Sequence, residues 1–230
     1  MLRRLVVPLA AVTLALAPAL HAQDTRPGIA VLPFENGGSY GQDKENFEAL
    51  QKGIPGMIIS ELGQNPAARV VDRDNIQSLL SEKDLGKDGR VDAATAAKIG
   101  KLVGARYMVT GTFVDLYGRF RTDARIVDVE TSEIIKTVKS EGKREELFKL
   151  IQGISEKLMA ETKLPPLSKE VSQAVKARNV PTEALTYYSR ALLYQDRGDK
   201  TKAAEFFRKA IDTFPNYAEA QEGLKKVTGG

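Results

Sequence analysis

The side chains in this sequence limit the chemistry that it could perform. The chain has one histidine, His21, and neither cysteine nor tryptophan. Imidazole and thiolate groups are common bases, nucleophiles and zinc ligands. Because His21 lies in a stretch that we interpret below as a cleaved leader, only carboxylates, lysines, tyrosines and hydroxyls are left for catalysis. We therefore predict no Ser-His-Asp triad, no Cys-His dyad, no Cys/His zinc site and no disulfide.

One set of carboxylates has the groups needed for metal binding or acid/base work. Asp72 and Asp74 flank Arg73, and Asp128 lies at the end of a later predicted strand. The competing interpretation makes Asp72 the N-cap of a helix and leaves the other carboxylates as charges in solvent. The sequence favours these structural roles, so we predict neither a metal site nor a catalytic pair.

A second set of acidic residues is partly similar to a calcium-binding loop. Asp88 and Gly89 match the residue types that such a loop has at its fifth and sixth positions. Gly86 and Thr95 then fall where the loop needs an oxygen ligand and a bidentate glutamate. The sequence also has no nucleotide motif. We predict no catalytic residue, no cofactor and no metal.

Residues 1–22 have the pattern of a secretory signal peptide. Two arginines precede an apolar run at 5–20, and small residues follow it. Cleavage after Ala22 is favoured, and cleavage after Ala19 would also fit. The alternative, an uncleaved membrane anchor, needs about 20 apolar residues, and this shorter run contains two prolines. We predict a mature chain without a transmembrane segment and without lipidation, since there is no cysteine to acylate.

The composition changes at residues 163–167. Beta-branched residues and glycine dominate before this stretch, and Ala, Tyr, Phe, Lys and Glu dominate after it. Its two consecutive prolines favour an extended spacer. We predict an α/β domain at 23–162, a proline-rich linker at 163–167 and a helical domain at 168–230.

The α/β domain is predicted from alternating strand and helix patterns. Pro55 lies inside the first helical pattern and predicts a kink or a break near Gly53. The three strands before the last helix form an antiparallel meander, so the fold class is α/β, a mixed β-sheet layered with helices. The predicted strands are 28–34, 69–71, 106–114, 119–129 and 133–139, and the predicted helices are 44–62, one after Asp72, one between Asp92 and Gly104, and 144–162.

Four segments of this domain are similar, in the same order, to those of CsgG-like and TolB-N-terminal-like domains. They are residues 29–36, 70–80, 96–111 and 125–134. The CsgG-like proteins are envelope proteins related to the curli secretion channel. The resemblance covers roughly residues 28–160, and it implies the fold of that family and a place in the cell envelope.

Two features of the channel-forming members have no counterpart here. Those members insert two long amphipathic hairpins where this chain has only residues 115–118 and 141–143. Membrane-crossing strands need about 9–11 residues each. The lipidated cysteine of those members is also missing. The resemblance therefore implies an envelope protein without a pore of its own.

Residues 182–215 have the length and signature of one tetratricopeptide repeat. Residues 216–227 fit the capping helix that follows such repeats. A single repeat cannot bury its apolar faces alone, so neighbouring helices, the sheet domain or another subunit must cover it. The signature positions are Tyr187, Ala191, Tyr194, Gly198, Ala203, Phe207, Ala210 and Pro215.

The predicted repeat also suggests where a partner would bind. Such repeats present the inner face of their first helix to a partner, and Tyr188, Leu192 and Gln195 would project from that face. We expect Tyr188 and Leu192 to be available to a partner, and Tyr187, Phe207 and Ala210 to be packed. The alternative is a helical hairpin that only stabilises the fold.

These patterns predict a non-enzymatic periplasmic binding or adaptor protein. Without the two arginines of the leader, the formal charge falls from +4 to +2, which does not suggest a nucleic acid partner. The expected partners are envelope proteins or peptides, contacted through the CsgG-like domain and the repeat. The expected location is the periplasm, with a position peripheral to the outer membrane as an alternative. The alternative is a ring-forming accessory subunit of an outer-membrane secretion or envelope assembly, a homo-oligomer without its own pore.

Overall fold

The fold is built on one mixed β-sheet. The computed structural model describes residues 24–39, 44–82 and 91–229. The predicted signal peptide at 1–22, both predicted cleavage sites and most of the calcium-like loop lie outside these residues. The described strands are β1 (Gly28–Val31), β2 (Glu35–Asn36), β3 (Arg69–Val70), β4 (Tyr107–Leu116), β5 (Arg119–Asp128) and β6 (Ile134–Lys143).

Parallel and antiparallel pairing meet in this sheet. Its strand order among the described residues is β3-β1-β4-β5-β6, with β2 beside β4. β1 is parallel to both of its neighbours, whereas β4, β5 and β6 are antiparallel. The predicted meander is confirmed. The loop between β4 and β5 consists of Tyr117 and Gly118, both with positive φ, as a tight hairpin with the right-handed strand twist requires.

Helices cover both faces of the sheet. They are α1 (Lys44–Gly63), α2 (Arg73–Glu82), α3 (Ala93–Leu102) and α4 (Leu147–Glu161), the last after a short 3₁₀ turn. Ile29 and Val31 belong to the hydrophobic cluster that contains α1 and α4, and Ala30 and Leu32 belong to the cluster that contains α2 and α3. This alternation follows from the two-residue period of a strand. The predicted fold class is confirmed.

Two aspartates start the helices on one face. Asp72 accepts a hydrogen bond from the backbone N–H of Asp74 at 2.8 Å, directly before α2. Asp92 accepts one from the N–H of Thr95 at 2.7 Å, directly before α3. Each side chain satisfies a donor that the first helical turn leaves without a partner. The N-cap role predicted for Asp72 is confirmed.

Helix α1 continues through Pro55, so the predicted break near Gly53 does not occur. A proline has no N–H for the carbonyl four residues earlier, which here is that of Gln51. The N–H of Phe34 donates to this carbonyl at 3.0 Å. The bond that Pro55 removes from the helix is thereby replaced by one from the segment that follows β1.

Four helices form the rest of the described chain. They are α5 (Lys169–Ala177), α6 (Thr182–Asp196), α7 (Lys200–Thr213) and α8 (Ala218–Thr228). Helix α4 ends at Glu161 and α5 begins at Lys169, so the predicted linker at 163–167 lies between two helices, and the division into two domains stays a prediction. One hydrophobic cluster includes side chains of the sheet, α1, α4, α6 and α7. Apolar packing is therefore continuous from the sheet into the C-terminal helices.

Candidate functional site

Helix α6 contains the residues predicted to bind a partner, and it packs against α1. Tyr188 and Leu192 are only 6% and 5% exposed. Gln195 is half-buried and donates to a carboxylate oxygen of Asp74 at 3.4 Å. The predicted exposure of Tyr188 and Leu192 is therefore wrong. The inner face of the first repeat helix is covered by a helix of the same chain.

Two glycines in α1 allow this close contact. A Cβ at Gly53 would lie 2.6 Å from the Cβ of Ser189 and 3.1 Å from its Cα. A Cβ at Gly56 would lie 3.0 Å from the Tyr188 hydroxyl and 3.2 Å from Cδ1 of Leu192. Because neither glycine has a side chain, the two helices approach closely there, and the large side chains of α6 fill the space over Gly56.

Charged groups border the contact between the helices. Both oxygens of Asp196 accept from Arg73, at 2.9 and 3.1 Å, and Lys52 lies 3.4 Å from the same carboxylate. Near the start of α1, Glu45 binds Tyr194 and Arg190. The hydrogen bond from Tyr194 holds the pKa of Glu45 below its usual value. These bonds connect α6 to both α1 and α2.

A cleft of 320 Å³ opens where α6 and α8 meet α1 and the start of α2. We call it the central cleft. Its apolar wall contains Ile59, Val70, Tyr188 and Leu192, and Gln195 lies on its border. The volume is at the lower end of the range of ligand pockets, roughly 300–1,000 Å³. All three residues predicted to bind a partner thus line one concave surface, although two of them are mostly buried.

The hydroxyl of Tyr188 has no hydrogen-bond partner among the described residues, although the side chain is packed. Its ring lies 6.1 Å from that of Phe207 and 5.1 Å from that of Tyr217. Burial raises the pKa of Tyr188 well above its usual value, and the negative charge of Glu219 raises it further. By contrast, the hydroxyl of Tyr217 donates to the sulfur of Met57 at 3.0 Å. A phenol without a partner in a concave site is free to bond a ligand.

Negative charge dominates the polar wall of the central cleft. The Nζ of Lys226 lies 3.4 Å from Glu222, 3.5 Å from Asp74 and 3.7 Å from Asp72. Burial alone would lower the pKa of Lys226, but the three carboxylates together raise it above its usual value. Glu219 also lines the cleft. One lysine is therefore shared among several carboxylates.

Four of the eight signature positions of the predicted repeat lie in the core. Ala191, Ala203, Phe207 and Ala210 are fully buried. The ring of Phe206, which the signature does not include, stacks on Tyr187 at 6.3 Å and on Tyr194 at 5.4 Å. Gly198 has a positive φ between α6 and α7, and Pro215 follows α7. The assignment of this helix pair to the tetratricopeptide class stays a prediction.

The third carboxylate considered for catalysis lies elsewhere. Asp128 binds Arg106 at 2.8 Å and accepts from the backbone N–H groups of Glu130 and Thr131 at 2.8 and 3.2 Å. It therefore fixes the turn after β5, and the predicted exposure of Asp128 to solvent is wrong, since the residue is only 7% exposed. Within the described ranges, no group of three or more acidic, histidine or cysteine side chains could hold a metal ion. In the same residues, no helix has the length and hydropathy to cross a membrane.

Known proteins are similar to part of this chain. The family described as curli production assembly/transport component CsgG matches residues 11–122. This part of the chain is CsgG-like. The match ends within β5, so it includes α1, α2 and α3 and excludes α4 and the C-terminal helices. No curated protein matches the chain.

Several solved structures share similarity with the chain at low identity. The LpoB C-terminal domain from Salmonella enterica is 19% identical, with 51% of this chain and 83% of that one covered and a TM-score of 0.36. TolB from Acinetobacter baumannii is 14% identical, with 60% and 29% covered and a TM-score of 0.41. The PelC dodecamer from Paraburkholderia phytofirmans is 11% identical, with 62% and 91% covered and a TM-score of 0.39.

The central cleft lies at the border of the CsgG-like part. Helix α1, β3 and the start of α2 fall within the matched residues, whereas α6 and α8 lie outside them. The side chains that carry its negative charge come from both sides, with Asp72 and Asp74 inside the match and Glu219 and Glu222 outside. The site therefore depends on the helices that follow the CsgG-like part.

Proposed function

We propose that this protein is a non-enzymatic periplasmic adaptor that binds protein components of the cell envelope. The CsgG-like part supports a place in the envelope. The proposed location also rests on the signal peptide expected at 1–22, and sequencing of the secreted protein should find Gln23 or Leu20 as its first residue. A full-length chain that only detergent extracts from membranes would contradict this location.

The observation that carries the binding role is the central cleft. It is formed jointly by the CsgG-like part and the predicted repeat, and Tyr188 presents a hydroxyl that no described residue bonds. In this proposal the repeat does not bind through an open inner face. It packs that face on α1 and contributes one wall of the cleft, so both predicted regions contribute to one binding surface.

A photo-cross-linking experiment tests this function. Gly63 lines the central cleft, and a Cβ there would meet nothing within 4 Å, so this position suits the attachment of a photoreactive side chain. A control is placed at Lys209 on α7, which does not line the cleft. Irradiation of cells should join the Gly63 variant, and not the Lys209 variant, to a specific envelope protein. No adduct at Gly63, or the same adducts at both positions, would contradict the proposal.

The edge strand of the sheet favours a second candidate function, the ring-forming accessory subunit. Among the described residues, β6 pairs only with β5, and it exposes Ile134 and Ile135. Exposed apolar residues on an unpaired edge are uncommon unless another chain covers them. Light scattering of the purified protein should then give the mass of several copies, and Ile135→Lys should reduce it. A monomer at micromolar concentration would rule out this candidate.

A further inference from the structure

The charges that line the central cleft do not balance. Asp72, Asp74, Glu219 and Glu222 face only two cations, Arg73 and Lys226, in addition to the apolar wall. Arg73 donates to both oxygens of Asp196 and also lies 3.3 Å from Asp74, so these two carboxylates share it, and Lys52 pairs with Asp196 as well. Glu219 is likewise bonded by Ser60 and Arg178. The uncompensated charge therefore lies mainly on Asp72 and Glu222, whose only ion pair among the described residues is with Lys226.

Lys226 does not make a close ion pair. Its Nζ lies between 3.4 and 3.7 Å from three carboxylates, and its side chain is 44% exposed. A second cation would therefore find carboxylate oxygens with spare acceptor capacity. The Tyr188 hydroxyl adds another acceptor from the apolar side of the cleft, since it has no partner among the described residues.

We propose that the central cleft binds a lysine or arginine side chain presented by a protein partner. This inference rests on the proposed function and names the chemistry that the partner must supply. The size agrees, because 320 Å³ holds a side chain and not a large cofactor. The shape of the wall agrees as well, because long basic side chains pack an apolar stem beneath a charged head.

The binding mode follows from the positions of the lining residues. The methylene stem lies along Leu192 and Ile59, and the charged head is bound by Asp74 and Glu222. The hydroxyl oxygen of Tyr188 accepts a hydrogen bond from the same head. Lys226 competes with the incoming cation for the carboxylates. An acidic side chain is repelled by these carboxylates, and an apolar side chain makes none of these hydrogen bonds.

Peptide titration tests the inference directly. Three five-residue peptides of glycine with lysine, arginine or norleucine at the centre are added to the ¹⁵N-labelled full-length protein. The lysine and arginine peptides should shift the amide signals of Tyr188, Leu192 and α8. They should bind roughly tenfold more tightly than the norleucine peptide, and added salt should reduce this difference. Equal binding of all three peptides would overturn the inference.

Charge variants give a second test with a matched control. Asp74→Asn with Glu222→Gln should weaken binding of the lysine peptide roughly tenfold. Glu205→Gln removes a carboxylate from an equivalent pair, since Glu205 binds Lys209 four residues later, but it lies outside the cleft. This control should leave binding unchanged. Binding that survives loss of both cleft carboxylates would contradict the inference.

Lys226→Gln should strengthen binding of the lysine peptide, whereas loss of the cleft carboxylates should weaken it. It removes the competing cation, so the lysine peptide should bind several-fold more tightly than to the unmodified protein. A purely structural role of Lys226 predicts weaker or unchanged binding. Melting curves of each variant show whether it is folded, and Lys226→Gln is informative even if the double variant does not fold.

The outcomes separate this inference from the proposed function. If the Gly63 cross-linker captures an envelope protein and the lysine peptide does not bind, the cleft has a partner but the inference of a basic side chain is wrong. If the lysine peptide binds as expected and no envelope protein is captured, the inference stands and the adaptor function fails.

Discussion

The burial of single residues could be predicted from the sequence only in part. The sequence correctly predicted that Phe207 and Ala210 are packed, whereas Tyr187 is only half-buried. It placed Tyr188 and Leu192 on an open face because the repeat pattern contains no information about what covers it. Only the fold brings Gly56 beneath these two side chains. The pattern shows which positions are apolar, and the tertiary contacts decide which of them are exposed.

One buried carboxylate gives a prediction about pH. Glu61 is almost fully buried beside Arg178. Burial raises the pKa of Glu61 above its usual 4.5, although Arg178 opposes the shift. Between 4.5 and the raised pKa the folded state keeps a proton that the unfolded state has lost, so the free energy of unfolding falls as pH rises.

Glu61→Gln should remove this dependence. Urea unfolding from pH 4 to pH 7 should show the unmodified protein losing stability relative to the variant as pH rises. Carboxylates elsewhere titrate in both proteins, so the difference between the two curves isolates Glu61. A difference that is constant with pH would show that Glu61 has an unshifted pKa.

At the scale of elements, most helices and strands were predicted and one helix was misjudged. The ends differ by a few residues, and β6 runs to Lys143 and not to residue 139. Helix α1 agrees with the helix predicted at 44–62, but α6 covers a second face of it that the sequence does not indicate. That face consists of small and charged residues, such as Gly53, Gly56 and Glu45. Because this face has few apolar residues, the helical pattern of apolar positions predicts that it is exposed.

Two glycines of α1 provide a matched test of this second face. Gly53→Ala places a Cβ against Ser189 and should cost about 1–3 kcal/mol through overpacking. Gly63→Ala meets no atom within 4 Å and should stabilise by about 0.4–1 kcal/mol, because alanine has less freedom in the unfolded chain. Thermal unfolding of both variants gives the comparison. If Gly53→Ala is as stable as Gly63→Ala, α6 does not pack on this face.

At the scale of the whole molecule, the two predicted regions share one core. The sequence indicated each region separately, because each has its own composition and period. Their contact could not be predicted, since it depends on glycines and ion pairs that are far apart in the chain. Tyr217, for example, bonds Met57 across 160 positions of sequence. The central cleft exists only because the two regions pack against each other.

A shared core predicts coupled unfolding. Phe207→Ala truncates a fully buried ring in α7 and should cost about 3–5 kcal/mol. Native-state hydrogen exchange should then accelerate by the same factor in α7 and in the central strands β4 and β5, because both open in one global transition. Acceleration confined to α6, α7 and α8 would show that the two regions unfold independently.

The position of α6 against α1 also determines when the protein can finish folding during its synthesis. Helix α1 ends at Gly63 and α6 begins at Thr182, so more than a hundred residues are made between the two. Until α6 arrives, the surface of α1 around Gly53 and Gly56 has nothing to cover it. A nascent chain of this protein therefore cannot complete its core until α6 has emerged.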